Sequence, residues 1–438
     1  MSDRRMVQIR EQLREAYTTK LFFTDLNGRL KNLSVNPDDI DSIIQYGVGI
    51  DGSSIAGIAT VDNSDRILKP VVESFRLVDF GEHKIGFFVG RIYNQDGSRS
   101  EVDPRYPLER AVAKAEQEHQ IRFLMGPEHE FFLLKGDEFA HDIHTDKLDY
   151  FSSSPTDIGD IVRQEIVDIL KTCGIKYEKT HHEVTSSQHE INLEPGDPLT
   201  VADRTILFEF VTKEVAANHG LHATFMSKPF TGYNRNAFHI HASFSDLDGK
   251  NLCYDANNEY NLSSMLLHCV GGIIKYAREA SIVLASTFNS YKAYVLDKEA
   301  PIVRGWGLRN RSSMVRIPHA SRPEATRLEV RCPDATGNVY LQLATIIFMG
   351  LEGIKTRQDP GAPDAGSNYS REKRVKVLDQ RFLPRDFFPA LMEAESSQFM
   401  AESLGSELFD NYMKIKISEW EDHRTTITDL EHRKYLAI

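Results

Sequence analysis

Residues 121–134 read IRFLMGPEHEFFLL. Glu128 and Glu130 stand two apart, so in a strand both carboxylates project from one face. They sit inside an apolar run, with Phe123, Leu124 and Met125 before them and Phe131, Phe132, Leu133 and Leu134 after. Two like charges in such a setting raise each other's pKa unless a cation lies between them. For this segment alone, a half-exposed strand with a solvated acidic face is the plain alternative.

Three further segments share the pattern. In HHEVTSSQHEINL (181–193), Glu183 precedes a polar turn and Glu190 follows it, with Glu190 and Asn192 on the face opposite Ile191 and Leu193. In AFHIHASF (237–244), His239, His241 and Ser243 share one face, and Phe238, Ile240 and Ala242 the other. Imidazoles at i and i+2 suit metal binding or phosphate contact. In RLEVRC (327–332), Arg327, Glu329 and Arg331 alternate with Leu328, Val330 and Cys332. Just upstream, Arg309, Arg311 and Arg316 add three more guanidinium groups, the side chain of choice for bidentate carboxylate and phosphate contacts. Each segment read singly has a bland alternative: a solvated loop, a satisfied core histidine, a salt-bridge ladder. Together they supply carboxylate ligands at Glu128, Glu130, Glu183, Glu190 and Glu329, a histidine ligand and a dense arginine set. Oxygen-rich ligation selects Mg²⁺ or Mn²⁺ over zinc, and divalent cations facing arginines point to phosphoryl transfer from ATP.

Composition fits such an enzyme. The chain has 438 residues, of which 41% are apolar and 26% charged, enough for a large core and more than one domain. A formal charge of −12 argues against a dedicated binder of nucleic acid or anionic membrane. The most apolar stretch, residues 341–354, includes Gln342, Thr345 and Glu352 and is too short to span a bilayer. The first 17 residues read as a charged amphipathic helix without the apolar core of a signal peptide. Cys173, Cys253, Cys269 and Cys332 lie far apart, as reduced thiols of a cytoplasmic protein do.

Residues 18–105 read as a small, mostly antiparallel α+β unit: a strand at 20–25 entering the turn Asn27-Gly28, a helix at 37–46, strands at 66–68 and 85–89, and the turn Asp96-Gly97. Asp103-Pro104-Arg105-Tyr106-Pro107 punctuates the chain before a helix at 108–118, which places a boundary near residue 105. The remainder mixes strands and helices, with a surface loop at 359–370 and a helical C-terminal fifty residues. Gly47, Gly49 and Gly52 satisfy G-x-G-x-x-G, but a helix precedes them and polar Asp51-Gly52-Ser53-Ser54 follows, the reverse of a dinucleotide fingerprint.

GIDGSSIAG (49–57), GPEHEFFLL (126–134), HHEVTSSQHEI (181–191), TFMSKPF (224–230) with FHIHASF (238–244), NSYK (289–292) with EAP (299–301), RNRSSMVRIP (309–318) and RLEVRCPD (327–334) occur in the order found in type I glutamine synthetases. DYFSSSPTD (149–157) and the terminal SEWEDHRTTIT (418–428) fit as well. From about residue 18 to its end the chain resembles that family. The resemblance implies an α+β fold, with a β-grasp domain (18–105) after the amphipathic N-terminal helix (1–17) and a catalytic domain (106–438) on a curved antiparallel sheet with flanking helices. It implies a homo-oligomer of two stacked hexameric rings with sites between subunits. Carried over motif by motif, Glu130, Glu183 and Glu190 would hold one metal ion, and Glu128, His239 and Glu329 the second. Arg311 and Arg331 resemble the groups that stabilise the transferring phosphate and the substrate carboxylate. Glu178, His241, Ser243, Arg316 and Arg327 fall where the family contacts ATP. Asp51 resembles the ammonium-binding residue, and Glu299 the flap acid that closes over an acyl phosphate. The implied reaction joins a carboxylate, by default glutamate, to ammonia at the expense of ATP.

The chain departs from the family pattern at the acid pocket. N-G-S-G-M-H is replaced by Asn234-Arg235-Asn236-Ala237-Phe238-His239, and N-S-Y-K-R by Asn289-Ser290-Tyr291-Lys292-Ala293. A glycine is thus lost to Arg235 and a carboxylate-gripping arginine to Ala293. Asn234 and Arg235, with Arg331, are therefore the expected substrate contacts, Arg235 either clamping the acid or pointing to solvent. Near the adenine, Glu194, Pro195 and Glu324 stand in place of an arginine, an aromatic and a lysine. The adenylylation motif N-L-Y-D-L is absent, although Tyr369 lies in that loop. The rival readings are a relative that takes another acid or an organic amine, a catalytically silent regulatory homologue and, more distantly, a two-metal phosphatase or nuclease.

Overall fold

The computed structural model describes residues 3–136, 143–295, 300–368 and 379–438. The helix Asp3–Leu13 buries Met6, Ile9 and Leu13, the i, i+3, i+7 stripe of its sequence. A five-stranded sheet follows, built from β1 (Thr18–Thr24), β2 (Leu30–Val35), β3 (Val48–Asp51), β4 (Asp65–Asp79) and β5 (Lys84–Tyr93) in the order β2-β1-β5-β4-β3. Every neighbouring pair is antiparallel except the central β1–β5 pair. The expected helix at 37–46 divides: a 3₁₀ turn, Pro37–Asp39, is capped by Asn36, and the α-helix Ile40–Tyr46 continues it. The expected strand at 66–68 is the start of the much longer β4, whose register slips between Val71 and Arg76. At the glycine motif, β3 runs straight into a 3₁₀ turn, Gly52–Ser54, with no helix to receive a pyrophosphate.

The second sheet comprises β6 (Arg122–Lys135), β7 (Tyr177–His182), β8 (Gln188–Leu193), β9 (Leu221–Thr224), β10 (Phe238–Ser245), β11 (Trp306–Leu308), β12 (Val315–Ile317) and β13 (Leu328–Val330). Its order is β11-β12-β13-β10-β6-β8-β7, with β9 extending the far end of β6. It is mixed rather than purely antiparallel, because β11 and β12 run parallel. Helices cover one face. Asp197 caps the helix Pro198–Asn218 by accepting the Thr200 N–H, and Pro198 sits at N1. The apolar stretch at 341–354 lies in the helix Val339–Thr356, which is hydrophobic nearly all round because it is buried in the core. Against it packs Ser264–Tyr276, so closely at Gly272 that a Cβ there would lie 2.1 Å from Met349 O. Among the described residues no helix is long and apolar enough to cross a membrane.

The two sheets are tied at one tight turn. Gly28, at φ +82°, brings the β1–β2 hairpin against Asn338, where any Cβ would meet backbone at 2.9 Å. Asn338 Nδ2 donates to Thr24 Oγ1 and Asp25 O, both at 2.9 Å, while its own Oδ1 caps the helix Val339–Thr356. The loop expected at 359–370 does not lie free: over its described part, Asp364 accepts from Ser313 Oγ at 2.7 Å and Gly361 O from Trp306 Nε1 at 2.9 Å. Tyr369 lies outside the described residues.

Candidate active site

Antiparallel pairing brings the four sequence segments together. On β6 and β10, Glu128 stands opposite His239; on β10 and β13, His241 stands opposite Glu329; on β6 and β8, Glu130 stands opposite Glu190. The Glu128 carboxylate accepts from His239 Nδ1 and from His241 Nε2, each at 3.0 Å. Arg327 Nε donates to the other nitrogen of His241 at 3.1 Å, which fixes that ring's tautomer. Burial opposes the Glu128 charge, but the two imidazole hydrogen bonds outweigh it and hold the carboxyl well below the usual carboxylate range. Glu329, 2% exposed, lies 3.8 Å from His239 Nδ1, accepts from Arg316 Nη1 at 2.6 Å and meets Arg331 Nε at 3.2 Å. Burial again works against its charge, and the Arg331 and His239 charges lower its pKa. Arg331 also donates to Arg311 O, which locks the two arginine segments together.

A second cluster forms where β7 and β8 meet. His181 Nε2 lies 3.0 Å from Glu183 Oε1 and 4.0 Å from Glu190 Oε2, and Glu130 Oε2 accepts from Gln188 Nε2 at 3.1 Å and Ala237 N at 2.8 Å. Glu190 is pushed well above the carboxylate range, first by burial and then by the like charges of Glu128, Glu130 and Glu183. Lys179 Nζ, 3.6 Å from Glu190, offsets only part of this repulsion, so the donor set has the charge and hardness that suit a divalent ion. Ligand atoms of Glu128, His241 and Glu329, and of His181, Glu183 and Glu190, lie within 4.8 Å of one another, so each trio could hold a metal ion.

Sequence reasoning passed over His181, although strand parity gives it: it lies two residues before Glu183 and opposite Glu190. It also passed over Tyr150 and Phe151, whose rings stack 4.0 Å apart and pack against His181 at 5.3 and 4.8 Å. Arg311, its guanidinium paired with Tyr150, enters from the same side.

Other expected residues lie further out. Ser243 and Glu324 line a cavity of 610 Å³ at the end of β6 and β10, together with Phe123, Leu124 and Tyr254. Glu178 is exposed at a register slip in the edge strand β7. Glu194 pairs at 3.9 Å with Lys176, and Pro195 lies 3.4 Å from the Cβ position of Gly126. Asn234 donates its backbone N–H to Thr185 Oγ1 at 3.3 Å, beside the Glu183 turn. Asp51, on edge strand β3 of the other sheet, accepts from Ser53 and Ser54 hydroxyls at 2.6 and 2.7 Å, and these bonds lower its pKa. Glu299 lies outside the described residues.

Arg235 behaves in neither of the two expected ways. It is 5% exposed, donates to Cys332 O at 3.1 Å and Arg331 O at 2.6 Å, and lies 5.6 Å from the centre of the Tyr294 ring. Tyr294, next to the buried Ala293, donates to the same Cys332 carbonyl at 2.9 Å. The guanidinium thus braces the end of β13 that carries Arg331, rather than facing solvent or standing free for a substrate carboxylate.

A β-grasp unit joined to a mixed sheet whose open face gathers carboxylates, imidazoles and arginines defines an ATP-dependent ligase. Residues 16–95 match the glutamine synthetase β-grasp domain and residues 101–435 the glutamine synthetase catalytic domain. Glutamine synthetase from Thermotoga maritima is 37% identical over 424 residues, covering 96% of each chain, and that from Clostridium saccharobutylicum is 35% identical over 424 residues, covering 95% of each. A solved GmaS/ADP complex superposes with a TM-score of 0.90 at 29% identity over 100% of both chains. Glutamine synthetase of Plasmodium falciparum shares the fold, with a TM-score of 0.87 at 21% identity over 99% of each chain. The chain belongs to the glutamine synthetase family.

Proposed function

We propose that the protein is an ATP-dependent carboxylate–ammonia ligase that works through an acyl phosphate, with glutamate as its acid. The observation that carries this reading is the bonding of Arg316, Arg327 and Arg331 to the Glu329 and His241 cluster, beside a second acid–imidazole cluster brought up by the pairing of β6 with β8. In the reaction, a carboxylate oxygen attacks the γ-phosphorus and ADP leaves. Ammonia then attacks the acyl carbon, phosphate departs with the carboxylate oxygen, and a side-chain carboxylate takes the surplus proton.

Glu130, Glu183 and Glu190 would hold one Mg²⁺ or Mn²⁺ ion, with His181 beside them; Glu128, His239 and Glu329 would hold the other, His239 Nδ1 lying 3.0 Å from Glu128 and 3.8 Å from Glu329, with His241 as the alternative imidazole. Such ions, when bound, neutralise phosphate charge and bring the reactants into line. Arg311 and Arg331 stabilise the transferring phosphate and the acid. Arg316, Arg327, His241, Ser243 and Glu178 receive ATP, and the 610 Å³ cavity beside Ser243 is the space for its base. Asp51 binds ammonium and aids its deprotonation. Because Asp51 sits on the edge of the first sheet, it serves a neighbouring subunit in a ring assembly, here taken as two stacked hexamers. Glu299 completes that site as the closing acid. The proposed setting is cytoplasmic.

The second reading, a ligase for a different acid or an organic amine, is favoured by the packing at Arg235 and Ala293, which leaves the acid pocket without a free guanidinium from either position. ADP release across a panel of acids and amines, with hydroxylamine trapping the acyl phosphate as a hydroxamate, decides between them. Turnover with glutamate and ammonium supports the first reading, and turnover only with another pair supports the second.

A further inference from the structure

Between β4, β5 and the opening turns of the helix Pro198–Asn218 lies a cavity of 280 Å³ lined by Arg76, Arg91, Arg105 and Arg204. Two of these arginines are matched by acids. Arg105 grips Asp203 through Nε at 3.1 Å and Nη2 at 3.0 Å, and Arg91 meets Glu109 at 2.7 Å. Asp203 is further engaged by Tyr340 OH at 2.9 Å.

The other two are unmatched. Among the described residues Arg76 donates only to the backbone, to Glu73 O at 3.1 Å and Phe75 O at 2.6 Å, and it feels the Asp203 charge without an ion pair to it. Arg204 has no hydrogen bond or ion pair among the described residues, and its Nε is buried. The remaining acids of the wall do not answer them: Glu73 is exposed, and Asp197 is occupied in capping Thr200 N at 3.0 Å. Burial, then the Arg204 and Arg5 charges, hold the Arg76 guanidinium below its usual range. Two guanidinium groups that repel each other across a small cavity, beside the positive end of a helix, are complementary to a compact anion.

We propose that this cavity binds a small dianion, a phosphate or a dicarboxylate, between Arg76 and Arg204, as an effector site distinct from the ligase site. Its volume suits a ligand of a few heavy atoms rather than a nucleotide. Its wall supplies the coupling. Asp197 lines both this cavity and the 610 Å³ cavity beside Ser243 and Glu324, and its neighbours divide between them, Pro198 lining the larger and Leu199 and Thr200 the smaller. Gly196, immediately before them, is bonded to Met125 of β6 at 2.8 and 2.9 Å. A ligand that draws Arg204 inward moves the first turn of the helix, and with it the wall of the second cavity.

Calorimetric titration of the full chain with inorganic phosphate and, separately, with succinate, both with Mg-ADP present to fill the nucleotide end, tests the site. Binding of one or both ions is expected, and the ion that binds names the ligand class. Arg204→Met and Arg76→Met should each weaken that binding about tenfold or more. Arg204→Met, which breaks no hydrogen bond or ion pair among the described residues, should leave the melting temperature and basal turnover unchanged, so it carries the test even if Arg76→Met folds poorly. The bound ion should also shift the apparent KM for ATP in the wild type and not in Arg204→Met. Absence of binding by both ions, or wild-type binding in the Arg204 variant, overturns the site. Binding that leaves the KM for ATP unmoved overturns its effector role. The binding results do not depend on which acid or amine the ligase uses.

Discussion

Glu128 on β6 and His239 on β10 lie directly opposite each other, and the imidazole Nδ1 donates to the carboxylate at 3.0 Å. The pair sits between two groups of buried acids, so its charge matters more than its packing. Glu128→Gln keeps the shape and removes the charge. Mn²⁺ affinity, followed by electron paramagnetic resonance, should fall about tenfold or more, and ADP release with it, while the circular dichroism spectrum stays unchanged. Wild-type metal affinity in the variant would remove Glu128 from the metal set.

Arg235 braces the backbone at Arg331 and Cys332, so its loss should be felt as stability and turnover rather than as acid affinity alone. Arg235→Gly takes away the guanidinium donor of Arg331 O, leaves Cys332 O with Tyr294 OH in place of two donors, and opens a cavity beside Tyr294. A loss of roughly 2–4 kcal/mol is expected in urea unfolding, together with a lower kcat. Unchanged stability with a large rise in the KM for the acid would restore Arg235 as a substrate clamp.

His129 points away from the acid clusters, into the core. Its Nε2 lies 3.1 Å from Thr205 Oγ1 and its ring packs on Phe208 and Phe238, and burial pulls its pKa from 6.5 down to about 3. The folded form therefore stays neutral while the unfolded chain takes up a proton below pH 6.5. The stability this neutral ring contributes is fully present above 6.5 and declines as pH falls towards 3. Between pH 7 and pH 5 the linkage is worth about 2 kcal/mol. His129→Gln should show a pH dependence of unfolding shallower by that amount, and an identical dependence would mean that His129 is protonated in the fold.

Burial raises the thiol pKa of Cys173 to about 11 and those of Cys253 and Cys332 to about 12, and Cys269 is raised too. The thiolate is the reactive form. Iodoacetamide at pH 8 should leave all four unmodified in the native protein and label all four in urea, as read by intact mass.

Asp51→Ala should raise the KM for ammonium and lower amide formation while ATP binding is kept. Its bonds to Ser53 and Ser54 cap a turn, so a purely structural role predicts a lower melting temperature with an unchanged KM.

Period-two alternation was enough to orient Glu128 with Glu130, His239 with His241, and Glu329 with Arg327 and Arg331, because strand side chains alternate by geometry. Which strands become neighbours depends on long-range pairing, so the opposition of Glu128 to His239 and of His181 to Glu190 could not be read from any one segment. The length of β4 was hidden because its continuation carries Pro70 and a register slip before Arg76, both of which read as strand breakers. The orientation of Arg235 was illegible for another reason: a cation buried against carbonyl oxygens and an aromatic ring leaves no charge pattern in the sequence.

In the proposed reaction, ATP activates a carboxylate as an acyl phosphate, and ammonia then displaces the phosphate. The direct test supplies glutamate labelled with ¹⁸O in its side-chain carboxylate, together with ATP, Mg²⁺ and ammonium, and reads the mass of the released phosphate. One ¹⁸O atom should pass to phosphate for each amide formed. Unlabelled phosphate accompanying amide formation would rule out an acyl phosphate.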